Sequence, residues 1–178
     1  MPNTTQVPDA RAQIVANAHK FLDLFQKNKS IFVYDEGAPR LAFEKWAAPQ
    51  YPIHTDCSGF LALCYYSAGA DDPLREHYNG SGYTGTELGA LHIPASSLVP
   101  GDAVVYGPGT GWHTAIVVQV QGGDILTISH GGPTGQSPCY TWVNAPTHLP
   151  RKGYAIDGRQ PQTFLRFPTG QIRKPWAV

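Results

Sequence analysis

Apolar residues recur along the chain in two rhythms. Between Asp9 and about Lys29 they follow a helix: Ile14, Ala18, Phe21, Leu22 and Phe25 stand at i, i+4, i+7, i+8 and i+11. Asp9 is placed to cap that helix. Ser30 to Tyr34 (SIFVY) is a short apolar run, and residues 35–54 read as a Pro-punctuated loop. A second helix is predicted from Thr55 (TDCSGFLALCYYSAG), with Thr55 or Asp56 as its cap and Gly69 as its stop. Leu61, Cys64, Tyr65 and Ala68, joined by Phe60, form its buried face. Residues 70–100 read as one long loop. Beyond it the rhythm changes to strands: 102–107 (DAVVYG), 113–120 (HTAIVVQV), 124–130 (DILTISH) and 163–167 (TFLRF). Gln121-Gly122-Gly123 is a hairpin turn between the second and third of these. Helices followed by antiparallel strands predict an α+β fold, one domain over residues 1–168 with a tail at 169–178.

Composition narrows the function classes. The 178 residues suit one domain, and 19 Gly and 16 Pro fit the loop-rich reading. Thirteen basic residues balance thirteen acidic ones, and no basic block offers the clustered charge that nucleic acid requires. The apolar runs fall far short of the ~20 residues that span a bilayer, so no membrane partner is expected. Residues 1–20 lack the basic and apolar regions of a signal peptide, which predicts synthesis in the cytoplasm. Cys57, Cys64 and Cys139 are too few for a disulfide framework, so free thiols are expected.

Of the three, Cys57 is placed for chemistry. It opens the second helix, where unpaired N–H groups and a partial positive charge are expected to lower a thiol pKa. The N–H groups of residues 57–58 are also positioned to hold an oxyanion. Gly59 would keep the first turn open to substrate. A thiolate nucleophile needs a base: His113 begins one hairpin strand and His130 ends the next. A turn centred near Gly122 sets these two nearly opposite each other. Nucleophile, base and orienter together form a triad.

DCSGF at 56–60, PGDAVVYG at 100–107, WHTAIVV at 112–118 and ISHG at 128–131 resemble the NlpC/P60 cysteine peptidases, which cut bacterial wall peptides on a papain-like α+β core. LCYYSAGA and YNGSGYTG further resemble the peptidase domains of actinobacteriophage endolysins. The resemblance implies Cys57 as nucleophile, His113 as base and His130 as orienter, with Tyr34, Asp56 and Ser58 shaping the substrate pocket. It also implies cleavage of a peptidoglycan stem peptide, γ-D-glutamyl to diaminopimelate, without a cofactor; a monomer is expected. Holin-type release would bring such a lysin to the wall; a recycling enzyme or an injected toxin are the other settings. The segment YDEGAPR departs from the family, whose members commonly have two glycines soon after the Tyr, and the hairpin is longer than usual.

An N-acetylmuramoyl-L-alanine amidase on the same scaffold and a non-catalytic wall-peptide binder are the alternatives. A Cys-His₃ zinc site from His54, Cys57, His113 and His130 is a third, but zinc would quench the thiolate, so no metal is expected. Trp46, Tyr78, Tyr83 and Trp112 are candidates for the walls of a substrate groove, Trp112 and Tyr83 foremost. Arg40 and Glu87 read as ordinary surface charges, Cys64 as core, and His148 as a loop residue.

Overall fold

The computed structural model describes residues 9–107, 109, 112–132, 135–144, 149–150 and 160–178. His148 and most of the turn before His113 lie outside them.

Helix α1 spans Arg11–Lys27, and its predicted stripe is buried at every position. Asp9 accepts the Arg11 N–H at 3.0 Å, one residue ahead of the helix boundary at Ala10. Strand β1 (Phe32–Tyr34) pairs in parallel with β2 (Ile53–Thr55). Between them the predicted loop winds into a 3-10 stretch over Ala38–Lys45. Helix α2 (Cys57–Ala68) is capped by Asp56, and at its end Gly69 turns left-handed with φ 76°. A Cβ on Gly69 would collide with the Arg173 carbonyl, so this position requires glycine twice over. All twelve α2 residues are buried, where the sequence predicted one buried face. The helix is central, covered on its outer side by residues the sequence reading assigned to a loop and a tail.

That cover has structure of its own. The predicted 70–100 loop contains α3 (Thr84–Glu87) and β3 (Leu91–Ile93). Residues 169–178 lie against α2: Trp176 N–H donates to Ser67 O at 2.8 Å, and the Trp176 ring packs edge-on against Tyr66. The Arg173 guanidinium lies between the Tyr66 and Tyr78 rings, 3.7 and 4.1 Å from their centroids.

Among the described residues the sheet has seven strands in the order β3-β9-β4-β5-β6-β7-β8, all antiparallel. Its members are β4 (Ala103–Gly107), β5 (His113–Gln121), β6 (Asp124–Gly132), β7 (Gly135–Asn144), β8 (Leu149–Pro150) and β9 (Gln160–Arg166), with β3 at one edge. The sequence reading missed β7, whose run GQSPCYTWVN begins with residues typical of turns. One face, carrying Val105, Ile116, Val118 and Ile128, packs against α1 and α2. The opposite face carries Val104, Tyr106, Ala115, Val117 and Ile125 in a second cluster. Asp102, in the PGD turn before β4, is fully buried and ties the layers together. It accepts from Arg11 Nη1 (3.1 Å), Arg166 Nε (2.9 Å) and Nη2 (2.8 Å), and Val99 N–H (2.9 Å). Among the described residues no helix is long and apolar enough to cross a membrane.

Candidate active site

The site begins at the N-terminus of α2. Asp56 Oδ1 accepts the Gly59 N–H at 2.6 Å and the Ser58 hydroxyl at 2.9 Å, so the predicted cap forms with full geometry. Its other oxygen pairs with Arg40 Nη1 at 3.3 Å. The same guanidinium donates to Ser58 Oγ at 3.3 Å and to the Gly82 carbonyl. Arg40, set aside as a surface charge, therefore joins the 3-10 stretch, the helix start and the loop before α3. Asp56 and Ser58 turn inward to this network, with Ser58 only 1% exposed. Gly59 serves the same closure: a Cβ there would collide with Thr55 Oγ1 and lie 3.0 Å from the Arg40 carbonyl. The residue is glycine so that two segments can approach the helix, not to open a path for substrate.

Cys57 is 5% exposed at the bottom of this arrangement. The Thr84 hydroxyl lies 4.0 Å from Sγ, and the Thr114 N–H is directed at it. Burial pushes the thiol up to about 12, with the Asp56 and Glu87 carboxyls adding to the rise; Thr114 N–H and Thr84 pull the other way. The helix start was expected to lower this pKa. Removal from water is the largest influence on the thiol here and acts in the opposite direction.

Tyr34 stands beside Cys57 and carries the site across to the sheet. Its ring meets the His130 imidazole edge-on at 5.3 Å, and a Cβ on Gly131 would lie 2.8 Å from its edge. Burial and the nearby Cys57 and Glu36 raise the Tyr34 hydroxyl well above its usual value. His130 is fully buried, with Phe32 at 5.6 Å and Phe60 at 6.1 Å completing an aromatic box on the α2 side of the sheet.

His113 is equally buried but on the other face. Its cross-strand neighbour is Tyr106, whose ring it meets at 5.7 Å, and Tyr106 belongs to the second cluster. His113 Nε2 lies 3.0 Å from Ser129 Oγ, which itself donates to Gly131 O at 2.9 Å. The Ser129 hydroxyl is then an acceptor for the ring, which places a proton on Nε2. The predicted side-by-side pair of histidines is thus split across the sheet. The cause is a bulge between Val117 and Gln119 that moves the register by one residue, and one residue exchanges faces. The ladder runs from Gln121 opposite Asp124 to Ile116 opposite Ile128. Thr114, opposite Val105 of the α2-side cluster, occupies the side facing Cys57.

Four polar residues at the site were not picked out from the sequence: Arg40, Thr84, Glu87 and Thr114. Thr114 was legible in principle, as a polar residue alternating with Ile116 and Val118. Glu87 had no pattern to reveal it. Of the aromatic residues proposed as groove walls, Trp112 and Tyr83 are 57% and 50% exposed, while Trp46 and Tyr78 pack against the core. His54, a member of the zinc alternative, pairs with Asp35 at 3.0 Å. Cys64 is core.

No family model matches the chain, and no curated protein matches it. Solved structures similar to the chain include the following three. The NlpC/p60 domain of the peptidoglycan hydrolase SagA is 22% identical, covering 88% of this chain and 97% of that one, with a TM-score of 0.48. The P60 domain of an antigen from M. avium subspecies paratuberculosis is 17% identical, covering 85% and 96%, with a TM-score of 0.46. The peptidoglycan hydrolase RipB from Mycobacterium tuberculosis is 16% identical, covering 89% and 83%, with a TM-score of 0.40.

Proposed function

We propose that the chain is a cysteine hydrolase that cuts an amide bond in the stem peptide of bacterial peptidoglycan, with Cys57 as nucleophile. The observation that carries the reading is the construction around Cys57: a thiol at a capped helix start, between Tyr34 and two hydroxyl-bearing threonines, within a chain carrying the four motifs named above. His113 and His130 handle the proton. His130 is supported by its place on the Cys57 side of the sheet, in contact with Tyr34. His113 is supported by its motif alone; a one-residue shift at the start of β5 would exchange Thr114 for His113 beside the thiol.

In this mechanism imidazole takes the thiol proton as the substrate carbonyl arrives, and the thiolate attacks. The Gly59 and Phe60 N–H groups are bound to Asp56, so the oxyanion is assigned to the N–H groups of Cys57 and Ser58. Imidazolium returns the proton to the leaving amine, and water releases the acyl-enzyme. Exposed Trp112 and Tyr83 are the proposed apolar walls for the glycopeptide. The bond is γ-D-glutamyl to diaminopimelate and the setting a phage lysin acting as a monomer; the endolysin-like segments LCYYSAGA and YNGSGYTG support the setting.

Purified actinobacterial peptidoglycan incubated with the protein, beside Cys57→Ala, tests the proposal by mass spectrometry of released fragments. New D-glutamate carboxyls that appear only with the thiol present are the expected result, and new L-alanine amines would identify the amidase instead. Fragments from neither protein under reducing conditions, or from both equally, would overturn it. His113→Ala and His130→Ala divide the proton-handling roles: each is expected to lose at least about 10²-fold in rate, the usual worth of a general base. Full activity in either variant removes that histidine from the mechanism.

A further inference from the structure

Glu87 has no part in the chemistry above, yet it lies in the wall behind the nucleophile. It is 0% exposed, and among the described residues neither carboxyl oxygen has a hydrogen-bond partner of good geometry. It shares α3 with Thr84, three positions apart and so on one side of the turn, and Thr84 supplies the hydroxyl 4.0 Å from Cys57 Sγ. The Thr114 hydroxyl lies beside the carboxyl, itself donating to Val104 O at 3.3 Å. A buried carboxylate without donors is costly, whereas a buried carboxylic acid is tolerable.

The titratable and charged groups around Glu87 come from every element packed against it. Asp56, Cys57 and Tyr65 face it from α2 and its cap, Asp72 from the loop after α2, and Arg40 from the 3-10 stretch. From β5, Thr114 lies against it. Arg40 is the one cation in this set, and it is already paired with Asp56. Burial, then Asp56 and Asp72, hold the Glu87 carboxyl well above the usual carboxylate range against the pull of Thr114 and Arg40.

We propose that Glu87 is a positioning residue for Cys57: as a neutral carboxylic acid it keeps a second negative charge away from the thiol, and its ionisation weakens Cys57 at alkaline pH. The proposal rests on the reading of Cys57 as nucleophile. Asp56 already disfavours the thiolate, and a second carboxylate at this position would do so again. Glu87 fills the space between α3 and β5 without that charge as long as it keeps its proton.

The test is the pH dependence of Cys57 carboxamidomethylation by iodoacetamide, followed at that residue by mass spectrometry, in the wild type and in Glu87→Gln. The two profiles are expected to coincide near neutral pH, where both side chains are uncharged. In alkali the wild type should fall behind by about tenfold, because a nearby like charge raises a pKa by about one unit or more. Wild-type wall hydrolysis should lag behind Glu87→Gln in alkali by the same factor and match it near neutral pH. Superimposed profiles throughout would overturn the proposal. So would a folded Glu87→Gln with an unreactive Cys57 at neutral pH, since that would make the carboxyl itself a proton carrier. If Glu87→Gln does not fold, the infrared spectrum gives a second reading in a Glu44→Gln background. A protonated-carboxyl band that persists at neutral pH and vanishes in alkali is expected, and its absence overturns the proposal. Alkylation reports on the thiol directly, so hydrolysis surviving in Cys57→Ala would sink the nucleophile reading separately.

Discussion

Asp56 does two jobs whose effects have opposite signs, and substitution separates them. Its carboxylate caps α2 through Gly59 N–H at 2.6 Å, and it pairs with Arg40 at 3.3 Å. Loss of an N-cap costs about 1 kcal/mol. Leaving the half-buried guanidinium without its carboxylate costs about 1–2 kcal/mol more, since Ser58 and Gly82 still accept from it. Asp56→Ala should therefore lose about 2–3 kcal/mol, or roughly 4–12 °C in Tm for a domain of this size. Asp56→Asn keeps a capping oxygen and should lose only about half as much. Yet the same negative charge is the largest contribution after burial to the raised Cys57 pKa. Both variants should therefore be less stable while their Cys57 becomes more reactive. One unit of relief means about tenfold more thiolate at neutral pH. Thermal unfolding read beside iodoacetamide labelling of Cys57 under native conditions measures both effects, with Cys64 labelling as the control for unfolding. Equal destabilisation by Ala and Asn, with no gain in Cys57 labelling, would refute the assignment of cap and charge to this one side chain.

Three further outcomes follow from the packing. Gly59→Ala should cost at least about 2–3 kcal/mol in urea unfolding, because Thr55 and the backbone of Arg40 both have to move; a near-neutral result would show that the helix start is not closed as described. Asp102→Asn leaves Arg11 and Arg166 facing a neutral amide at a fully buried position, and should lose about 3 kcal/mol without altering Cys57 labelling. Glu44 accepts the Gly80 N–H at 2.6 Å, and burial raises its carboxyl to about 7 from 4.5. A raised carboxyl pKa favours the folded state below about 4.5, and that contribution is lost as pH climbs to about 7. Glu44→Gln should consequently be more stable than the wild type above pH 7, by about 1–2 kcal/mol after allowance for solvent screening, with the difference shrinking toward pH 4.5 in paired melts; a constant difference across that range would contradict it.

Local signals were legible wherever the residue's own neighbours in sequence decide its state. The stripe from Ile14 to Phe25 marks one side of α1, Asp56 and Gly69 bracket α2, and Gly122-Gly123 turns the β5–β6 hairpin. Signals failed where a decision is made by a partner far along the chain. Residues 135–144 become a strand because β6 offers an open edge, although Gly135, Ser137 and Pro138 themselves favour a turn. Helix α2 is buried all round because the Trp176 segment and the Ala38–Lys45 stretch cover a side that no periodicity distinguishes.

At the candidate site the same limit decides the chemistry. Counting from the turn places His113 and His130 together, and the count is right to within one residue. In a strand, however, one residue is the difference between two faces. The bulge at Val117–Gln119 leaves no mark in HTAIVVQV, since either face of β5 is lined with aliphatic residues: Ile116 and Val118 on one, Ala115 and Val117 on the other. Both registers satisfy the core, so hydrophobic pattern cannot choose between them. What distinguishes them is polar: one register sets Thr114 and the other His113 against Cys57 and the buried Glu87. At the start of β5, a change of one residue in register therefore changes which side chain faces Cys57. That is why the His113→Ala and His130→Ala rates, read beside Cys57 labelling, decide more about this protein than any substitution in its core.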